Sequence, residues 1–199
     1  MDVSAQMVKE LRNKTSAGIM DCKEALRDSE GNMEKAIEYL RKKGINAASS
    51  KLNRQTLNGK IGSYIHLYGK IGVLVEVNCE TDFVADTDNF KEFVKDITMQ
   101  ITASDPKYIS RKEVPKSIIE KERNIFIAQV EKTNKPAAVI EKIVAGKLEK
   151  YFKESCLLEQ LFIKDNNKTV NELLLETIAK LGENILIKRF ARFKLGEEI

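Results

Sequence analysis

Between Ile71 and Cys79 every odd position, Ile71, Val73, Val75, Val77 and Cys79, is apolar, while the even positions hold Gly72, Leu74, Glu76 and Asn78. Successive side chains of a strand point to opposite faces, so this spacing predicts a half-buried β-strand with one face on a core. Residues Ile61 to Leu67 supply a neighbouring strand, and Tyr68-Gly69-Lys70 reads as the turn of a hairpin between them. A third strand candidate is Ile185 to Leu195, whose odd positions are mostly apolar while Lys188, Arg192 and Lys194 mark the other face. The expected sheet is small, three-stranded and antiparallel, with helices covering one side.

Helical periodicity dominates elsewhere. Met7, Val8 and Leu11 form one short apolar stripe, Ile19, Cys22 and Leu26 a second, and Met33, Ala36, Ile37 and Leu40 a third. Gly18 and Gly31 separate these helices. Asn32 is placed to cap the third, Arg41, Lys42 and Lys43 suit the negative end of its dipole, and Gly44 is placed to stop it. From residue 46 to residue 60 the chain turns polar and small with little periodicity, which reads as a linker. The expected organisation is therefore a three-helix domain over 1–45, a linker over 46–60 and an α+β core over 61–199.

The core carries further helical patterns through Phe90 and Ile101, through Ile118 and Val130, and from Pro136 to Phe152. A loop is expected over Lys164-Asp165-Asn166-Asn167-Lys168. It leads to a helix that Thr169 and Glu172 can open as a capping box and that Val170, Leu173, Leu174, Ile178 and Leu181 make amphipathic.

Composition removes whole classes of function. With 42% apolar and 32% charged residues among 199, the chain reads as globular, and a net charge of +4 demands no polyanionic partner. No run approaches the roughly 18 consecutive apolar residues of a membrane helix. Asp2, Lys9 and Glu10 do not fit a secretion signal, so the expected compartment is the cytoplasm and no membrane partner is expected. Cys22, Cys79 and Cys156 are odd in number and far apart, which argues against a disulfide framework or a zinc knot and for buried apolar roles. The chain lacks the phosphate-cradling and nucleophile-elbow motifs. No cofactor, metal or catalytic residue is expected, and the chain does not read as an enzyme.

Three segments are candidates for function. The first, Asn78-Cys79-Glu80-Thr81-Asp82-Phe83-Val84-Ala85-Asp86, leaves the most regular strand before helical periodicity resumes near Phe90. Thr81 and Asp82 suit a helix cap. Phe83, flanked by acids, reads either as a staple into its own core or as an exposed wedge for a partner. The second, Lys188-Arg189-Phe190-Ala191-Arg192-Phe193-Lys194, interleaves aromatics with cations as a single-strand nucleic-acid face does, and equally as any half-buried strand does. The third is His66, the only histidine, which reads as structural beside Tyr64 and Tyr68.

Two long stretches carry a resemblance. Val8-Lys9-Glu10-Leu11-Arg12 with Ser16-Ala17-Gly18-Ile19-Met20-Asp21-Cys22-Lys23-Glu24-Ala25-Leu26, and Ile71 through Ala85, are similar to translation elongation factor Ts. Lys135-Pro136, Glu141 through Leu148 and Cys156-Leu157-Leu158-Glu159-Gln160 fit the same family. Ser16 and Ile19 depart from the common form of the first motif. Leu161 stands where a proline is usual, which should loosen that turn. The length leaves room for one core only.

The resemblance implies a guanine nucleotide exchange factor for elongation factor Tu, with a homodimer implied by the single core. It implies that Thr81, Asp82, Phe83 and Val84 press on the GTPase beside its nucleotide and displace Mg²⁺. It also implies that Arg12, Ile19, Met20 and Lys23 of the first domain grip the same partner, and that no nucleic acid is bound directly. The three-helix unit is similar in size and shape to ubiquitin-associated (UBA-like) domains. Binding of a ubiquitin-like protein or of nucleic acid is therefore the alternative reading.

Overall fold

A computed structural model describes residues 3–15, 17–131 and 136–197. It mixes helices with a three-stranded antiparallel sheet and a second small sheet, the α+β class that the alternation predicts. The chain begins with α1 (Ala5–Thr15), α2 (Ile19–Asp28) and α3 (Met33–Ser49). The hairpin of β1 (Asn58–His66) and β2 (Ile71–Cys79) follows, then α4 (Asp82–Asp86) and α5 (Asp88–Ser104). After α6 (Lys116–Glu131) and α7 (Ala137–Ser155) come β3 (Leu161–Phe162), β4 (Asp165–Thr169), α8 (Val170–Leu181) and β5 (Ile185–Lys194). The main sheet has the order β1-β2-β5, and β3 pairs antiparallel with β4. Among the described residues, no helix is long and apolar enough to cross a membrane.

The chain divides into two compact units. One comprises the described residues up to Lys60 together with Val77–Phe93 and Glu172–Leu186. Its first three helices close on a core of Leu11, Cys22, Ala25, Leu26, Ala36 and Leu40, flanked by Met7, Val8, Met33 and Ile37. These are the three stripes read from the sequence, with one correction: Ile19 of the second stripe lies at the exposed start of α2, and Ala25 joins Cys22 and Leu26 in the core instead. Asn32 caps α3, its side-chain oxygen accepting from the Lys35 amide at 3.0 Å.

The expected stop at Gly44 fails, because α3 continues to Ser49. Gly44 is needed there for proximity. A Cβ at this position would lie 3.2 Å from the Cβ of Ala179 on α8, and Arg41 one turn earlier pairs with Glu176 of α8 at 2.9 Å. Contacts with α8 outweigh the local stop signal.

The other unit comprises Ile61–Glu76, Val94–Asn171 and the described residues from Ile187. Val73 and Val75 of β2 and Ile97 and Ile101 of α5 are buried. Gly62 of β1 lets the strand approach α5 closely, since a Cβ there would meet Val94 at 2.4 Å. In this unit α6 packs on α7, and Val114, Phe152 and Cys156 form a second cluster. Arg111 lies over the Phe152 ring, 4.7 Å from its centre, and pairs with Glu149 and Glu159.

Two further expectations need correction. The segment read as a loop, Lys164 to Lys168, largely forms β4, with Asp165 opposite Phe162 and Thr169 opposite Leu161. Asp and Asn are poor strand formers, and the pairing partner decides the outcome. In β5 the inward positions change phase, from Ile185 and Ile187 to Phe190 and Arg192. Arg192 therefore does not mark the outer face: its side chain is only 10% exposed and pairs with Asp105 at 3.2 Å and Glu197 at 3.3 Å.

Candidate functional site

The strand β2 ends at Cys79, and the chain turns at once into α4, a helix of five residues. Thr81 is its N-cap: the side-chain oxygen accepts from the Val84 amide at 3.3 Å. The Phe83 amide donates to Asp82 Oδ1 at 2.9 Å. At the far end Thr87 donates its hydroxyl to the Val84 carbonyl at 2.8 Å and accepts from the Phe90 amide, so one threonine links α4 to α5. Within this turn Ala85 is the residue that faces the core. Phe83 is 83% exposed, which rules out a staple into its own core. Its phenyl ring belongs to solvent.

A helix this short does not hold its shape alone. Its anchor is the turn between α8 and β5. Glu183 accepts two hydrogen bonds from Thr81, from the hydroxyl at 2.6 Å and the amide at 3.0 Å. Asn184, 4% exposed, donates its amide N–H to Glu80 Oε1 at 2.6 Å and its side-chain NH₂ to the carbonyls of Leu52 (3.2 Å) and Arg54 (2.8 Å). Asn58 donates to the Glu80 carbonyl at 2.8 Å.

Beneath the cap, the Cys79 thiol donates to the Thr81 carbonyl at 3.0 Å. Burial, reinforced by the Glu183 carboxylate, pushes that thiol up to about 11, so it stays protonated and keeps donating. On the exposed side Lys60 pairs with Asp86 at 2.8 Å, and Lys91 stands at 3.9 Å. The Lys60 hydrogen bond and charge hold the Asp86 carboxyl below its ordinary range.

The second group of candidates sits on the helical bundle. Ile19 and Met20 open α2 and are 55% and 75% exposed, an unusual investment for large apolar side chains. Arg12 on α1 and Lys23 on α2 are also exposed. Gly18, the N-cap of α2, brings no side-chain cap bond. Ser16 and Lys135, both part of the motifs above, lie outside the described residues.

The remaining candidates lose ground. His66 is exposed and stacks on Tyr64 with ring centres 5.6 Å apart, its Nδ1 within 3.0 Å of the Tyr64 hydroxyl. In the basic strand Arg189 is committed to Glu76 at 2.6 Å. All three cysteines are free and buried. Among the described residues, no group of three or more His, Cys, Asp or Glu side chains could hold a metal ion. Sequence reasoning missed Glu183 and Asn184. The only signal was their place after Gly182, a left-handed residue with φ of 77° that ends α8.

What this arrangement offers is contact: two exposed apolar helix starts, that of α4 capped by Thr81, each flanked by charge. The comparison with known proteins agrees with the motif resemblance. The sequence model described as Elongation factor TS matches residues 1–197. An Elongation factor Ts from Thermoanaerobacter sp. (strain X514) is 60% identical over 99% of this chain and 97% of its own length. Those of Caldanaerobacter subterraneus subsp. tengcongensis and Geobacter sulfurreducens are 59% and 55% identical, over 98% and 91% of their lengths. The chain belongs to the elongation factor Ts family.

Proposed function

We propose that the protein is a cytoplasmic guanine nucleotide exchange factor that acts on elongation factor Tu during translation elongation. It makes and breaks no covalent bond. A factor that binds empty Tu better than loaded Tu weakens nucleotide binding by the same ratio, because coupling between two sites is reciprocal. The turn Thr81-Asp82-Phe83-Val84 meets the GTPase domain beside its nucleotide, Phe83 enters between two helices of Tu, and the Mg²⁺ site is disturbed. Without the ion the phosphates lose their main neutralising charge, and GDP leaves.

The observation that carries this reading is Phe83 itself, a phenyl ring held in solvent on a short helix capped by Thr81 at one end and bonded by Thr87 at the other. Burying such a ring stabilises a complex by about 1.5–3 kcal/mol, so Phe83 alone accounts for roughly 10- to 100-fold in rate. The bundle supplies a second grip through Arg12, Ile19, Met20 and Lys23. Homodimerisation is part of the reading. On β1 and β2, Ile61, Ile65 and Leu74 are exposed on the face turned away from α5, and a second copy would cover them.

The test is release of a fluorescent GDP analogue from purified Tu into excess unlabelled GDP. Release that accelerates with added protein supports exchange. Unchanged release with a matched Tu rejects it, and a ubiquitin pull-down and a salt-dependent gel shift then examine the binding-module alternatives. Light scattering near twice 22.6 kDa supports the dimer, and a monomer at micromolar concentration rejects it.

A further inference from the structure

We propose that Glu183 is a positioning residue for the Phe83 turn, which it aims from the connection between α8 and β5 without touching the aromatic ring. The proposal rests on the exchange reading above.

Thr81 is the last residue before α4, and each of its polar groups has a fixed partner. Its amide and hydroxyl hydrogens go to the two oxygens of Glu183, its hydroxyl oxygen takes the Val84 amide, and its carbonyl takes the Cys79 thiol and the Ala85 amide. A carboxylate that accepts two bonds from one residue sets orientation as well as distance, and bonds to a charged acceptor are the stronger kind. The hydroxyl can accept from Val84 only while its own hydrogen points elsewhere, and Glu183 takes that hydrogen at 2.6 Å. The carboxylate therefore sets the cap, the cap sets α4, and α4 sets the direction of Phe83, two residues beyond Thr81.

Asn184 fixes Glu183 in turn. It is buried and bonded to Glu80, Leu52 and Arg54, so the base of the anchor has little freedom. The ring is thus preorganised before any partner arrives, which lowers the ordering cost of inserting it.

The experiment compares Glu183→Gln with the unaltered protein in the GDP-release assay, varying the concentration of each. Glu183→Gln offers one acceptor where the carboxylate has two. It is expected to lower the maximal release rate about tenfold while the half-saturating concentration and the melting temperature hold. Amide hydrogen exchange, read without Tu, is expected to quicken at Phe83, Val84 and Ala85 in Glu183→Gln and to stay slow along β2.

A full release rate in Glu183→Gln overturns the proposal. So does a parallel loss of melting temperature, affinity and rate, which would make Glu183 merely structural. If the unaltered protein fails to release GDP, the exchange reading falls instead, and unchanged protection of the α4 amides would then overturn the anchoring as well.

Discussion

The start of α2 and the start of α4 both lift large apolar side chains into water, yet they are held in opposite ways. Ile19 and Met20 ride on a helix whose buried face, Cys22, Ala25 and Leu26, packs against residues of the same three-helix bundle. Phe83 rides on five residues whose polar supports, Glu183 and Asn184, lie a hundred positions further along. The first turn is supported by apolar packing among sequence neighbours and the second by directional hydrogen bonds from afar. Apolar packing tolerates small displacements. A short helix aimed by hydrogen bonds has one orientation or none.

That contrast can be broken in order of effect. Leu26→Ala, at a fully buried bundle position, should cost about 2–5 kcal/mol. Hydrogen exchange should quicken through α1–α3 while the α4 amides keep their protection, and shared loss would erase the distinction. Phe83→Ala should lower the rate of GDP release roughly 10- to 100-fold. Its melting temperature should hardly move, because exposed positions change stability by about 0.5 kcal/mol or less.

Asn184→Ala removes the donor from two carbonyls in a buried setting and should cost about 1–3 kcal/mol. Its loosening should be seen by hydrogen exchange at the end of β2 and in α4, with the bundle unchanged. The smallest effect belongs to Lys60→Met. The Asp86 carboxyl is held low by Lys60, so the pair supports the fold above the unfolded carboxylate pKa and that support fades as pH falls through the lower folded value. Asp86 should titrate closer to its ordinary range in Lys60→Met, as followed by carboxyl-carbon NMR.

The same contrast explains what could be read from residues alone. The strand Ile71–Cys79 has the same bounds in sequence pattern and structure, and the three apolar stripes of the bundle, Ile19 apart, lie in or against its core, because both are statements about neighbours at short spacing. The N-cap at Asn32 was legible for the same reason. Gly44 was misread because its role is set by Ala179, and β4 was misread because its partner strand, not its composition, makes it extended. Phe83 lay between two readings that local pattern could not separate. Family resemblance favoured the wedge, and exposure removes the staple. Glu183 was invisible, since nothing around it in sequence mentions Thr81.

The isolation of Phe83 also bears on how this surface can change over generations. A side chain that touches almost nothing of its own chain is nearly neutral to folding, so position 83 can be substituted without a compensating change elsewhere. A saturation library at that one codon would yield folded proteins throughout. Sorting the library for capture by a partner would then record the shape of the partner's pocket, with this protein acting as the mould.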